Sequence, residues 1–276
     1  MGTLFVVATP IGNLEDVTLR ALRVLGEVDL LFAEDTRRTR ILLVRHNVNA
    51  RPLSLHAHNE ARRIAQALET LRADRSVALV SDAGTPLVSD PGERLVAAAR
   101  DAGHRVESIP GPSAVLAALT ASGLPVTPFT FLGFPPRKRA ARKALLEGVR
   151  QRLETLVLFE SPRRLAGTLC ALRDALGERR ACVARELTKV HEEVVTGTLG
   201  ELAERFAEGA RGEVTIVVEG APGHAAELSA GELDSAIRAL ARSGHSAREI
   251  AAALAPRTGV SKRDVYARAV VARERP

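Results

Sequence analysis

The chain of 276 residues has no tryptophan and one tyrosine, and aromatic residues make up only 3% of it. No apolar run approaches the roughly 18 residues that a membrane-spanning helix needs. The N-terminus leads directly into a strand-like pattern at Thr3, without the basic segment that begins a secretory signal. We therefore expect a cytoplasmic protein that is not anchored in a membrane.

Only two cysteines occur, Cys170 and Cys182, and neither belongs to a Cys-x-x-Cys or Cys/His spacing. This excludes a disulfide framework and the common zinc motifs, so we expect no metal. The chain also lacks a G-x-G-x-x-G motif after its first strand and the lysine motif of a P-loop. Both absences disfavour the usual dinucleotide and nucleoside triphosphate sites.

What is present is typical of a folded protein, with 46% hydrophobic and 26% charged residues. Domains average about 100–200 residues, so this length favours more than one. Segments rich in glycine and proline near Gly123 and Gly220 mark the boundaries. We predict an N-terminal α/β domain over residues 1–122, a second α/β domain over 123–222 and a C-terminal helical domain over 223–276.

Strand-like and helix-like patterns alternate through the first two segments. The predicted strands are Thr3–Ala8, Asp29–Ala33, Pro52–His56, Val77–Ser81, Val106–Ile109, Phe129–Phe134, Thr155–Glu160, Arg180–Arg185, Glu193–Thr198 and Glu213–Glu219. Helices are predicted over Val17–Gly26, Thr36–Arg45, Asn59–Leu71 and Leu199–Ala207. Three more are predicted to open at Asp90-Pro91, Gly111-Pro112 and Ser161-Pro162, with Asp90 and Ser161 as N-caps. Alternation in the first half predicts a largely parallel sheet covered by helices.

Polar loops follow the five strands of the first half. They are Thr9–Asn13, Glu34–Arg37, His56–Glu60, Ser81–Pro86 and Pro110–Ala114. Ligands of parallel sheets bind at the carboxyl ends of the strands, so these loops together predict a site. In the fourth loop, Gly84 lets the backbone approach a ligand closely and Asp82 can accept from a hydroxyl or stabilise a cation.

Positive charge is concentrated in one segment. Residues 137–152 hold seven basic side chains and one acid, a net charge of +6 that equals the formal charge of the whole chain. A basic patch of this kind is typical of proteins that bind a polyanion such as nucleic acid. A solvated amphipathic helix explains the same pattern, and the sequence leaves both interpretations open.

The C-terminal segment reads as helical. Ser229-x-x-Glu232 and Ser246-x-x-Glu249 match capping boxes, and a turn is predicted over Pro256–Val260 between two helices. The pattern resembles a helix-turn-helix, which indicates either contact with nucleic acid or a simple packing unit.

Nine motifs in chain order together resemble one known family. They are Thr9–Asp16, Ala33–Arg37, His56–Glu60, Val80–Pro86, Ile109–Ala114, Gly133–Pro136, Phe159–Arg164, Arg185–Glu193 and Gly212–Val214. The family is the tetrapyrrole methylase (class III methyltransferase) superfamily, and within it the motifs are most similar to those of the ribosomal RNA methylases. One departure is Arg163, where those relatives carry histidine.

The resemblance implies a homodimer of two-domain subunits that binds S-adenosylmethionine in the cleft between its domains. It implies methylation of the ribose 2′-hydroxyl of a decoding-centre cytidine in the 16S rRNA of the small ribosomal subunit. The residues expected to bind the cofactor are Pro10, Ser81, Asp82, Ala83, Thr85, Pro86, Ser113, Ala114, Phe159 and Leu187.

The reaction needs no metal, but the hydroxyl must lose a proton. Candidates for catalysis are Asp35, His58 and Glu60, with Arg37 beside them. An ordinary ion-pair cluster at a helix start explains Asp35 and Arg37 equally well.

Aromatic residues are scarce, so we expect RNA to be held through its phosphates. The residues expected to bind RNA are Asn13, Arg137, Lys138, Arg139, Arg142 and Lys143. Two other functions remain open: methylation of a small tetrapyrrole precursor, and regulation by a nucleic-acid-binding C-terminal domain.

Overall fold

The structure is a computed structural model that describes residues 2–56, 58–222, 230–258 and 260–274. These residues form ten strands and eleven α-helices in two compact units. The α/β unit comprises Met1–Val149 and Glu154–Glu219, and the helical unit comprises Arg150–Leu153 and Gly220–Pro276. The domain boundaries after residues 122 and 222 stay predictions.

The first sheet of the α/β unit is parallel throughout, as the alternating pattern predicted. Its order is β3-β2-β4-β1-β5. The strands are β1 (Thr3–Val7), β2 (Leu30–Ala33), β3 (Pro52–Ser54), β4 (Val77–Val80) and β5 (Arg105–Ile109). All residues of β4 are apolar and buried, which is typical of a central strand covered on both faces.

Two pairs of helices cover the two faces of this sheet. Helices α1 (Leu19–Glu27) and α2 (Thr36–Arg45) pack on one face, against a core that includes Ala78 and Val80. Helices α3 (Glu60–Arg72) and α4 (Glu93–Asp101) pack on the other, around Phe32, Leu4 and Leu79. The polar loops are thereby fixed at the carboxyl edge.

The three helices predicted to open at a proline begin later than expected. Helix α4 starts at Glu93 and not after Asp90-Pro91, because Gly92 at its start has a φ of 119° and turns the chain. Helix α5 (Ala114–Ala121) follows Ser113 and not Gly111-Pro112. Helix α7 (Leu165–Leu176) starts four residues beyond Ser161, whose carbonyl accepts from the Arg164 N–H in a separate turn. In all three places the expected first turn is an irregular loop.

The second sheet is mixed, with the order β6-β7-β10-β8-β9 and only β6 and β7 parallel among its described strands. The strands are β6 (Phe129–Phe131), β7 (Thr155–Glu160), β8 (Arg180–Arg185), β9 (Glu193–Thr198) and β10 (Val214–Val218). The strand predicted to reach Phe134 ends at Phe131, and the chain turns at Gly133 with a φ of 64°.

Helices α6 (Arg139–Gly148), α7 and α8 (Leu199–Arg205) cover one face of the second sheet around Leu158 and Leu169. Helix α5 covers the other face, although it follows the first sheet in the chain. Its Val115 and Leu119 pack with Val157 and Val217 in a shared core. This core fixes the first sheet's loops against the second sheet.

The helical unit contains α9 (Ala230–Arg242), α10 (Ala247–Thr258) and α11 (Lys262–Glu274), which share an apolar core. The capping box at Ser246 is confirmed by reciprocal hydrogen bonds with Glu249, whereas Ser229 lies outside the described residues. The prediction of a turn from Pro256 was wrong, because α10 continues to Thr258, whose hydroxyl donates to the Leu254 carbonyl. Gly259 lies outside the described residues. Over the ranges that the structure describes, no helix is long and apolar enough to cross a membrane.

Candidate active site

A cavity of about 440 Å³ opens in the α/β unit, where the carboxyl edge of the first sheet meets the second sheet. This volume lies within the roughly 300–1,000 Å³ of typical small-molecule pockets. The first sheet supplies Glu34, Arg38 and the loop from Asp82 to Asp90. The other wall comes from aromatic residues and from the chain around β7 and β10.

The loop after β4 is held in place by the loop after β1. Thr9 and Gly84 exchange two backbone hydrogen bonds of 2.9 Å, and the Thr9 hydroxyl donates to the Ser81 carbonyl. Gly84 has a φ of 75°, which suits glycine and turns Asp82, Ala83 and Thr85 toward the cavity. These three residues were predicted to bind the cofactor.

Three other predicted cofactor residues support this wall from behind. Pro10, Ser81 and Pro86 are buried and do not line the cavity. Ser81 still shapes the site through its hydroxyl, which donates to the Ala83 carbonyl at 3.3 Å.

Strained backbone forms the next part of the wall. Leu87 and Ser89 have φ values of 74° and 72°, which are unfavourable for residues with side chains. This conformation places Val88, Ser89 and Asp90 on the cavity. Strain of this kind persists where the surrounding structure enforces it, commonly at functional sites.

The start of helix α5 also faces the cavity through Ser113 and Ala114. Ser113 is the N-cap residue, yet its side chain makes no capping hydrogen bond. A helix N-terminus carries partial positive charge, so it favours an anionic group such as a carboxylate. Both residues are among those predicted to bind the cofactor.

The second sheet contributes an apolar wall. The Phe159 ring lies 5.5 Å from that of Phe134 and 4.9 Å from that of Phe131, measured between centroids. Leu187 completes the wall from a turn in which Glu186 and Thr188 both have positive φ values, 50° and 67°. Phe159 and Leu187, two of the residues predicted to bind the cofactor, thus line the cavity.

That turn is fastened to the first sheet. The Asn13 N–H donates to the Thr188 hydroxyl at 2.9 Å, and a Cβ on Gly12 would lie 2.6 Å from the same oxygen. Asn13, a predicted RNA-binding residue, is exposed and uses its side-chain oxygen to accept from the Glu15 N–H.

Three carboxylates make one side of the cavity acidic. Burial, reinforced by the charges of Asp82 and Asp90, raises the pKa of Glu34 above its usual value. Burial likewise raises the pKa of Asp90. Arg38 lies at the mouth, 3.8 Å from Asp82 and 3.9 Å from Glu213. Arg38 offsets only part of this negative charge, so the wall suits a cationic ligand.

None of the four residues predicted to act in catalysis lines the cavity. The Asp35 carboxylate caps α2 by accepting from the Arg37 N–H at 2.8 Å and forms an ion pair with its side chain at 2.7 Å. These hydrogen bonds lower the pKa of Asp35 to about 2. His58 is exposed, and buried Glu60 pairs with Arg94 at 3.2 Å.

Sequence reasoning missed Glu34 and Arg38, which flank the predicted pair and do line the cavity. The motif Glu34-Asp35 places two acids side by side, and only the N-cap preference of aspartate distinguishes them. Once Asp35 is assigned to the cap, Glu34 remains for the site.

The cavity therefore offers an acidic wall for a cation, a helix start for a carboxylate and phenylalanine rings for a flat ring system. S-adenosylmethionine combines all three, so its chemistry fits these residues. Among the residues that the structure describes, no group of three or more His, Cys, Asp or Glu is placed to hold a metal ion.

Comparisons with known proteins agree with this chemistry. The family model of tetrapyrrole (corrin/porphyrin) methylases matches residues 3–203. A ribosomal RNA small subunit methyltransferase I from Mesorhizobium japonicum is 47% identical, over 96% of this chain and 90% of its own length. The protein of the same name from Thermotoga maritima is 44% identical over 221 residues, 80% of this chain and 99% of its own.

Among solved structures, uroporphyrin-III-C-methyltransferase from Thermus thermophilus is similar, with a TM-score of 0.58 and 26% identity. The match covers 79% of this chain and 94% of that one. The resemblance stated from the motifs is confirmed. The chain belongs to the tetrapyrrole (corrin/porphyrin) methylase family, and its methyl donor is S-adenosylmethionine.

Proposed function

We propose that the protein methylates small-subunit ribosomal RNA, at the ribose 2′-hydroxyl of a decoding-centre cytidine in 16S rRNA. The names of its relatives support the RNA substrate. The observation that carries the proposal is the basic strip, defined as residues 137–143, which holds five basic side chains in seven positions. Phe134, three residues before the strip, lines the cavity.

The methyl donor is held by the residues predicted for it. We assign Asp82, Ala83 and Thr85 to the side of the cavity that faces the donor's cation. Ser113 and Ala114 are assigned to its carboxylate, and Phe159 and Leu187 to its adenosine. Pro10, Ser81 and Pro86 support these residues without lining the cavity. When bound, the donor supplies a methyl group activated by its positively charged sulfur.

Glu34 accepts the proton of the ribose hydroxyl in this proposal. As the new oxygen–carbon bond forms and the sulfur–carbon bond breaks, the proton passes from the hydroxyl to the Glu34 carboxylate. A base with a raised pKa accepts a proton better than one with a pKa of about 2, which favours Glu34 over Asp35. Asp35 and Arg37 then hold the start of α2, and His58 and Glu60 stay predictions.

RNA is bound through Asn13, Arg137, Lys138, Arg139, Arg142 and Lys143, mainly by phosphate contacts. Arg137, Lys138, Arg139 and Lys143 are exposed, and Arg142 is half-buried. The proposal includes a homodimer that works in the cytoplasm on the small ribosomal subunit.

A second candidate is methylation of a small tetrapyrrole precursor. The likeness to uroporphyrin-III-C-methyltransferase favours it, and the cavity alone does not exclude it. The basic strip favours RNA, because a small tetrapyrrole precursor does not require seven residues of extended positive surface.

The test uses labelled S-adenosylmethionine with unmodified small ribosomal subunits, followed by nucleoside analysis. We expect 2′-O-methylcytidine at one position and its loss with Glu34→Gln. A porphyrinogen is assayed in parallel as the alternative substrate. The control variant is Arg23→Gln, because Arg23 is exposed on α1 and forms an ion pair with Glu27 one turn along the same helix. Label in the porphyrinogen and none in RNA would replace the proposal with the second candidate.

A further inference from the structure

A second cavity, of about 290 Å³, lies between helices α6 and α7. We call it the α6–α7 groove. Its residues are Arg139, Arg142, Lys143 and Glu147 on α6 and Ala171, Asp174 and Ala175 on α7. Ala171 and Ala175 are four residues apart and therefore on one face of α7, where their short side chains leave the groove open.

Two of the three cations of the groove have no ion pair in the described part of the chain. Within the described residues, neither Arg139 nor Arg142 has an ion pair, and Lys143 lies 3.6 Å from Glu147. Asp174 lies 3.7 Å from Arg173 and pairs with none of the three cations. Two guanidinium groups therefore converge on the groove with their donors available.

The position of these cations is electrostatically unfavourable for α6 itself. Its first turn contains no acidic residue, and Lys138 and Arg139 occupy its N-cap and first positions. Helix N-termini favour acids, so cations at this end of α6 destabilise the helix. A bound anion removes this cost, whereas a merely solvated helix gains nothing from the arrangement.

The segment that leads into α6 is hydrogen-bonded to a wall of the active site. The Arg164 side chain donates from Nη2 to the Pro135 carbonyl at 2.8 Å and contacts Glu160 Oε2 at 3.3 Å. Pro135 lies next to Phe134, and both Phe134 and Glu160 line the large cavity. The groove and this wall of the cavity are therefore linked through the segment that leads into α6.

We propose that the α6–α7 groove binds a backbone phosphate of the RNA substrate through Arg139 and Arg142, and so positions the target nucleotide. The proposal rests on the proposed function. Arginine suits this role because its planar donors bind phosphate in pairs. Lys143 and the exposed Arg137 and Lys138 add charge along the same strip.

The experiment compares methylation of small ribosomal subunits by the wild type, Arg142→Gln, Arg142→Lys and Arg139→Gln/Arg142→Gln over a series of salt concentrations. Arg23→Gln, which removes the same charge from an exposed position on α1, is the control. Affinity for S-adenosylmethionine is measured separately by calorimetry.

We expect Arg142→Gln to raise KM for the subunit on the order of tenfold and the double variant to raise it further. The slope of log affinity against log salt should fall by about 0.7–0.9 for each lost phosphate contact. Arg142→Lys should keep the slope and lose part of the affinity. Affinity for the donor should stay unchanged.

Two failures are distinguishable. If the wild type methylates the subunit and the Arg139 and Arg142 variants match Arg23→Gln in KM and in slope, the groove proposal is overturned alone. If the wild type transfers no methyl group to RNA, the proposed function fails and the groove proposal fails with it.

Discussion

Replacing Arg164 by methionine tests the contact that joins the cavity to the basic strip. The Glu160 side chain is completely inaccessible to solvent, whereas that of Arg164 is 25% exposed. Glu160 also accepts from the Thr168 hydroxyl at 2.6 Å and from the Ser161 N–H at 2.7 Å. Arg164→Met therefore leaves a buried carboxylate with two of its three partners.

The magnitude follows from these contacts. Removing one partner of a fully buried ion pair costs about 3–5 kcal/mol. The two remaining hydrogen bonds and the partial exposure of Arg164 reduce this, while the lost bond to the Pro135 carbonyl adds about 1 kcal/mol. We expect the free energy of unfolding of the α/β unit to fall by about 2–3 kcal/mol. For a unit of this size that lowers Tm by roughly 4–12 °C.

Calorimetry and urea unfolding measure the loss, and a double-mutant cycle with Glu160→Gln isolates the pair. The double variant should be less destabilised than the sum of the two single variants, because an amide beside methionine leaves no unpaired charge. Arg23→Met is the control, since its exposed pair with Glu27 at 3.0 Å contributes only about 0.3–0.5 kcal/mol. Equal small losses for Arg164→Met and Arg23→Met would refute the reasoning.

Three further predictions concern single groups. Glu34→Gln should lower kcat by about 10²–10⁴-fold. The folded-state pKa of Glu34 is raised above 4.5, so the stability of the wild type falls as pH rises through that pKa. The variant should therefore gain stability relative to the wild type over the same pH range. Equal pH dependence of the two melting curves would contradict this. Gly12→Ala should destabilise the protein by about 1–3 kcal/mol, since the new Cβ would lie 2.6 Å from the Thr188 hydroxyl. The control in thermal melts is Gly148→Ala, because a Cβ at that position would have no other atom within 4 Å. Hydrogen bonds from the Ser76 N–H and hydroxyl lower the pKa of Asp29, so its contribution to stability should be lost as pH falls through that lowered value. Asp29→Asn should be less sensitive to acid in that range, and an unchanged acid-unfolding midpoint would argue against it.

The sequence predicted elements well where local and tertiary preferences agree. Helix α2 begins at Thr36 as predicted because Asp35 is a strong N-cap residue. The bounds of β7, β8 and β9 were also predicted correctly. Helices α4 and α7 began later than their Asp-Pro and Ser-Pro signals indicated, because the residues around those signals bend along the cavity.

The site was predicted at the level of loops and not of individual side chains. Strand-end position identified the loop at Asp82, since parallel strands bring their carboxyl ends to one edge. Glu34 and Asp35 are distinguished only by the N-cap preference of aspartate, which assigns Asp35 to the start of α2 and leaves Glu34 for the cavity. The groove beside Arg142 depends on how two helices pack, which a single sequence shows only as a charged segment.

Helix α5 has a consequence for how the protein evolves. It follows the first sheet in the chain, yet its apolar face is buried against the second sheet. A recombination event at residue 122 would therefore separate this helix from the surface that it covers. Exchange of halves between relatives preserves this core only when the junction lies before Ser113. The segment that must be inherited together with the second sheet therefore begins at residues that line the donor-binding cavity.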